Sequence, residues 1–457
     1  MTLKVNDTSS EINEMSPSWA IADALLGGTT SMRAAGKKYL PKMEGESESG
    51  YETRLSVATL LPAFSRTVSV MASKPFSKPL QLGQDVPPQI VEWSEDIDRQ
   101  GNNLHNFAFG LLSETLGYGL CGVLVDYPKA NGVTTLADEK AAGLRPYFVH
   151  IKHDQLLGWK SEIRNGARVL TQLRISEDAE IPDGDWGTKE VNRVRVLEPG
   201  KWALYEEQED KGKREFVLID EGVTTLKAIP FIPFYGNKEC FMEGRSPLIE
   251  IAHLNVQHWQ DSSDQQKSVR FARVRIAAII GGEVEGNVSV GADHFMQLPQ
   301  GADVKVVQGS AESVKIGREE LTNLESQMIQ MGAELLIQRP NGQRTATESN
   351  NDAEANRSDL QRIAEGVADG IDQCLQFMAD WVNLPSGGHV TMFSDYGAGN
   401  LSDASAQLVL SMQQGSLITK PTFLKEMQRR NILSPDLVPD DELSAIETEG
   451  PKLGAMV

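Results

Sequence analysis

Residues 338–348 read QRPNGQRTATE. Pro340 ends the helix that precedes it, because the residue before a proline avoids the helical region. Thr345, with Glu348 three residues on, is a capping box that starts another helix at once. Upstream, Leu321, Leu324, Met328, Met331 and Leu335 recur alternately at three and four, a heptad-like seam on an otherwise polar helix. That helix is expected to begin near Gly317, with Glu319 and Glu320 favourably placed in its first turn. Downstream, Leu360, Ile363, Val367, Ile371, Cys374, Met378 and Val382 follow one stripe, which predicts a helix over 345–383, ~50 Å long at the usual rise per residue. Met and Cys in such a stripe are core packing.

Before the seam helix, residues 276–313 return to strand chemistry in IAAII, HFMQLP and DVKVVQ, with Gly281-Gly282 and Gly309 as breaks: a small β insertion. Before that, Ser246-Pro247 is a helix start, and a polar helix is expected to run to about Arg275. Leu248, Ile251, Asn255, Trp259 and Ser262 make its one stripe, while Gln257, Gln260, Asp261, Gln265 and Gln266 fill the other faces. A rod that polar bridges solvent or leans on many neighbours.

The N-terminal part predicts helices after Ser16-Pro17 and over 51–71, the second kinked at Pro62, a short helix around Val91 to Ile97, and another from Asn103 to Gly119. The run CGVLVDYP is a buried strand. From Arg145 to Pro233 the period becomes two, in PYFVHI, ARVLTQLRI, VNRVRVL, WALYEE and EFVLID, so this half is a mixed α+β domain with an antiparallel sheet. The acidic DAEIPDGD (178–185) lacks calcium-loop spacing and reads as a hairpin turn. The tail carries a strand in HVTMFSDYG, helices near 402–412 and 421–430, and an acidic, proline-bearing end whose last residues are expected to be disordered.

Composition excludes more than it selects. The 457 residues are 40% hydrophobic and 24% charged, an ordinary globular balance. Lys and Arg number 44 against 64 Asp and Glu, a net −20, which speaks against coating nucleic acid through the bulk surface. Cys121, Cys240 and Cys374 are odd in number and far apart, so neither a disulfide framework nor a CxxC metal cluster is expected. Neither a signal-peptide core nor an apolar run of membrane-spanning length occurs, which places synthesis in the cytoplasm. GxxxxGK[ST], HExxH, GxSxG and GxGxxG are absent, the seven His show no ligand spacing, and His253 and His258 fall on different helix faces. No catalytic residue, cofactor or metal is expected. A hydrolase of this class would need carboxylates such as Asp126, Asp154 and Asp220 to converge.

The order of long polar helix, β insertion, returning helix with MGAELL, polar loop, TATE cap and very long helix resembles the portal proteins of tailed bacteriophages. The segments YLPKMEGESESGYETRLSVATLLPAFSRTVSVMASKPF, GLLSETLGYGLCGVLVDYP, RPYFVHI and SPLIEIAHLNVQHWQDSSD are similar to a portal subfamily of about this length, so the likeness covers most of the chain. It implies a non-enzymatic ring, usually of twelve subunits, at one capsid vertex of the virion. Double-stranded DNA is driven in through the ring by a separate terminase and later released, with the major capsid protein and a head-tail adaptor as further partners and no membrane. It assigns 1–245 to the wing, 246–275 to the first stem helix, 276–313 to the clip and 314–337 to the second stem helix. Residues 338–344 become the tunnel loop, 345–383 the channel-proximal helix, and 384–457 a wing strand with a short crown. Another non-enzymatic virion adaptor would share the acidic, polar-helix composition.

Rods too polar for their own core are explained if copies pack side by side around a wet channel, and an acidic wall lets DNA slide where a basic one would retain it. The seam Leu321, Leu324, Met328, Met331 and Leu335 is then the candidate for subunit packing. The DNA-facing candidates are Arg339, Asn341, Gln343 and Arg344 in the loop and Lys267, Arg270 and Arg273, beside Arg275, at the end of the first rod. The rod cations serve equally to complement a helix C-terminus or to meet acidic neighbouring subunits or capsid, and Arg339 and Arg344 can equally pair with Glu334 or Glu348.

Overall fold

A computed structural model describes residues 4–128, 143–210, 213–273, 276–281, 303–307, 309, 311–334, 358–394, 410–414, 418–429, 433 and 437–448. The fold is mixed α+β, and it opens with α1 (Ser10–Leu26), α2 (Gly28–Ala35), α3 (Glu48–Val57) and α4 (Ala63–Ser73). Ser9, not Ser16, caps α1, and Pro17 lies inside it. The carbonyl of Asn13, which Pro17 cannot serve for want of an N–H, accepts instead from the Ser16 hydroxyl at 3.1 Å. Pro62 does more than kink the second run: the chain is non-helical between α3 and α4.

After β1 (Gln81–Leu82) and α5 (Pro88–Trp93), α6 (Leu104–Tyr118) is bounded as the sequence indicates, by Asn103 accepting from Asn106 N and by Gly119 at φ 87°. Strand β2 (Leu120–Asp126) follows and forms a three-stranded antiparallel sheet between β3 (Tyr147–Ile151) and β9 (Phe231–Tyr235). Its apolar run is continuous because both faces are covered. Cys121, Val123 and Val125 join the main core, while Leu120 and Leu124 join a second core with Ile12, Trp19, Leu173 and Ile175. On that second face the Phe231 ring lies where a Cβ on Gly122 would stand.

PYFVHI of the alternating half is β3 of the three-stranded sheet, and the rest folds as an antiparallel meander, β4 (Leu156–Arg164), β5 (Ala167–Asp183), β6 (Gly187–Glu198), β7 (Lys201–Asp210) and β8 (Lys213–Val223). Asp183 pairs with Gly187, with Gly184 at φ 70°, so DAEIPDGD is a hairpin turn. Arg195 clasps the two sheets together: it donates to Asp126 at 2.6 Å and Glu177 at 2.8 Å.

Past β10 (Asn237–Cys240) and β11 (Glu243–Arg245) come α7 (Ile249–Arg273), β12 (Ile276–Ile280), β13 (Asp303–Val307) and α8 (Ala311–Glu334). The returning rod thus starts six residues before Gly317. Strands β12 and β13 pair from Ile276↔Val307 to Ile280↔Asp303, whereas HFMQLP lies outside the described residues. The chain closes with α9 (Asp359–Trp381), β14 (Val390–Thr391) on β1, α10 (Lys420–Arg429) and α11 (Pro439–Thr448). A single helix over 345–383 is corrected: Ser358 has ψ 158° and forms its own capping box with Gln361. The sequence holds two such boxes, and TATE lies outside the described residues. The acidic end, too, contains the described helix α11, while 402–409 lies outside the described residues.

What holds the base of α7 is a repair of the proline break. With Pro62 interrupting the helix, the Phe64 N–H has no helical partner and the Leu61 carbonyl is left with Ala63 N at 2.8 Å. The fully buried Asn255 amide takes both, donating to Leu61 O at 2.9 Å and accepting from Phe64 N at 3.0 Å. Asn255→Ala leaves the buried Phe64 N–H without its acceptor, while Leu61 O keeps the Ala63 N–H at 2.8 Å; the change is expected to cost about 1–3 kcal/mol, whereas the exposed Gln257→Ala should change stability by less than ~0.5 kcal/mol. Urea unfolding of the two variants, read as midpoint shifts at constant slope, checks this.

Candidate functional site

The sequence places Ser246 where two helices meet. Its hydroxyl donates to Leu116 O at the end of α6 (2.6 Å) and accepts from Leu248 N (3.1 Å), so it sets the direction in which α7 leaves the body. Helix α8 returns antiparallel beside it. Gly332 approaches Ile251 and Thr67, Glu325 meets His258 at 3.3 Å, Gln265 Nε2 donates to Val314 O at 2.6 Å, and Gly309 lies against Phe271 and Ala272. These contacts recur about every two turns, the spacing of a coiled pair. At Gly317 a Cβ would overlap the Gln265 amide.

Burial changes halfway along the rods. Ile249, Ile251, Ala252, Asn255, His258, Trp259 and Ser263 of α7 are buried, and no residue from 264 to 273 is. On α8, Leu324, Met328 and Gly332 are buried, and no residue from 311 to 323 is. The hairpin is therefore rooted in the body and projects from it, with Phe271 45%, Ile316 59% and Ile329 74% exposed. Two expectations are corrected. The first rod, expected to have little face for a core, has its lower half held in one through Leu248, Ile251, Asn255 and Trp259 of the expected stripe. The seam is also spent inside the chain: Leu324 and Met328 are buried, Met331 packs against the same core as Met328, and Leu321 is half-buried. Leu321 and Met331 keep part of their surface open. Leu335 lies outside the described residues.

The cations behave differently from one another. Arg339, Asn341, Gln343, Arg344 and Arg275 lie outside the described residues. Lys267 stands 3.7 Å from the Glu46 carboxylate. Arg273 is exposed on the last turn of α7. Arg270 is exposed and, among the described residues, has no hydrogen bond or ion pair; it lines a groove of about 460 Å³ between α3 and α7. One wall is Ser47, Ser49, Gly50, Thr53 and Val57, the other Ser263, Gln266, Lys267 and Arg270.

The groove's floor is a buried ion pair. Arg54, 7% exposed, donates to Glu46 at 3.0 and 2.9 Å and to Pro41 O at 2.7 Å, and lies 3.7 Å from Asp264. Bonding from Arg54 holds the Glu46 carboxyl down at about 2, whereas burial raises Asp264. Nothing in local spacing announces this cluster; the one signal is that a helical wheel sets Arg54 between Tyr51 and Ala58 on a buried face. Ser263 Oγ, also buried, has no partner.

No arrangement for covalent chemistry accompanies the groove. Asp126 and Asp220 line one cleft, but Asp126 is bound to Arg195, and Asp154 is not among the cleft residues. Cys121 and Cys374 are fully buried with thiols pushed up by desolvation, which makes them inert. Among the described residues no three His, Cys, Asp or Glu could hold a metal, and no helix is long and apolar enough to cross a membrane.

The family described as "Domain of unknown function (DUF4055)" matches residues 247–382, from the root of α7 to the end of α9. No curated protein matches the chain. Among solved structures, the chain is similar to one described as "Neck of native GTA particle computed with C12 symmetry", with 14% identity, 81% of this chain and 89% of that one covered, and a TM-score of 0.38. It is also similar to "Neck of empty GTA particle computed with C6 symmetry", with 12% identity, 84% and 90% covered, and a TM-score of 0.39. A third is "Virion of native gene transfer agent (GTA) particle", with 12% identity, 84% and 89% covered, and a TM-score of 0.37. Likenesses this loose fix neither the position of an element nor the role of a residue.

The ion pair at the hairpin's root gives a pH signature. Because the folded Glu46 carboxyl lies near 2 against an ordinary 4.5, its contribution is complete above about 4.5 and fades as pH falls toward 2. Glu46→Gln should therefore melt lower than the native chain at pH 7, with the gap closing between pH 4.5 and 2.5. Thermal melts of both chains across that range test it, and a gap independent of pH would contradict the assignment.

Proposed function

We propose that the chain is the ring-forming subunit of a portal, the conduit for double-stranded DNA at one vertex of a phage-like capsid and the platform for terminase and later for head-tail adaptors. The observation that supports this reading is the hairpin. Its upper half buries no described side chain on either rod, yet it is locked rod to rod and carries Phe271 and Ile316 in the open. A solitary globule gains nothing from projecting such a pair. Copies arranged about an axis parallel to the rods cover these residues and leave the polar faces toward a water-filled bore.

The acidic total, −20, fits a conduit in the same way. Phosphate slides past carboxylate and amide groups, and few cations are left to retain it. In this reading the β12–β13 pair at the free end of the hairpin is the part that meets terminase and adaptor, and the loop at 338–344 is the part nearest DNA.

Mass photometry and negative-stain microscopy of the purified chain are expected to show closed rings of ten or more copies with a central hole; a chain that stays monomeric at high concentration would overturn the reading. Ile329→Glu, at a side chain 74% exposed in the single chain, should leave the melting temperature unchanged and sharply reduce the ring fraction in the same measurement.

A further inference from the structure

The groove and α8 lie on opposite sides of α7. At 3.6 residues per turn, Ser263, Lys267 and Arg270 project nearly opposite His258 and Gln265, which meet α8. On α8, Glu312, Ile316 and Glu319 are exposed and form a row turned away from the face of Gly317, Leu324 and Met328 that packs inward; Glu319 also lies 3.7 Å from Lys315 of its own helix, an exposed contact worth little. One hairpin thus presents a basic groove on one flank and an acidic row with an apolar centre on the other.

The two flanks also stand at the same height. The bond from Gln265 to Val314 and the contact of Gln265 with Gly317 set the middle of the groove level with the middle of the row. Rotation about an axis parallel to the rods moves every residue around the ring without changing its height. Head-to-tail contact between neighbours therefore has to join surfaces at equal height, and these two are.

Resting on the ring reading, we infer that the groove of one copy receives the Glu312–Ile316–Glu319 row of the next. The carboxylates face Arg270, with Lys267 behind it, and the isoleucine covers Val57, which is 37% exposed on the groove wall. Arg270 has no described partner within its own chain, and the buried Ser263 hydroxyl has a donor to spare.

The contact is testable by complementary charge reversal in the full chain. Arg270→Glu alone, and Glu312→Arg with Glu319→Arg alone, should each melt like the native chain and lose at least nine-tenths of their rings in mass photometry. Mixed one to one, they should form rings of alternating composition, since every groove then meets a row of opposite sign. Rings from either variant alone, or failure of the mixture to assemble while both parts melt normally, would overturn the contact. So would normal Arg270→Glu rings that hold duplex DNA less well, which would assign Arg270 to phosphate. A native chain that forms no rings would instead remove the ring reading, and this contact with it.

Discussion

The structure depends on where the apolar stripe of α7 stops. Up to Ser263 each turn buries a side chain in the body; beyond it no described side chain is buried, and Asp264 and Lys267 meet Arg54 and Glu46 at the rim only. Hydrophobic burial is proportional to the area removed from water, so the lower half of the rod is held to the body by apolar packing and the upper half by polar contacts alone. The hold is specific as well as apolar, because Asn255 can satisfy the proline break only at one depth and one rotation of α7. A longer stripe would lay the rods on the body. A shorter one would leave them without direction.

Around that root the body is built to be stiff. The β3-β2-β9 sheet has a core on each face, and Arg195 ties it to the five-stranded meander through Asp126 and Glu177. The Phe234 ring packs where α9 has Gly370, so the sheet and the last long helix approach closely. The arrangement separates tasks. Apolar packing and a few buried or half-buried ion pairs fix the body, while the described upper halves of the rods carry polar and charged faces.

Much of this was legible in the sequence where the signal is local. Asn103 and Gly119 bound α6, the period-two segments after PYFVHI form the meander, and the doubly apolar CGVLVDYP is the central strand. Local signals failed where two of them competed. Ser16-Pro17 looks like a helix start, but Ser9 begins the helix earlier and Ser16 repairs the carbonyl that Pro17 abandons. The seam of α8 has coiled-coil spacing, but spacing does not say whether the partner rod belongs to the same chain. The groove was illegible for a third reason. Glu46, Arg54, Ser263 and Arg270 are brought together only when α3 is set against α7, and no periodicity encodes that.

The close approach of Gly317 to Gln265, and of Gly309 to Phe271 and Ala272, has a mechanical corollary. Rods interlocked at two levels cannot shear lengthwise past each other, because each would drive a side chain into its neighbour's backbone. The hairpin then behaves as a strut: thrust applied at its strand tip travels down both helices into the body, through Asn255 on α7 and against Thr67 on α8.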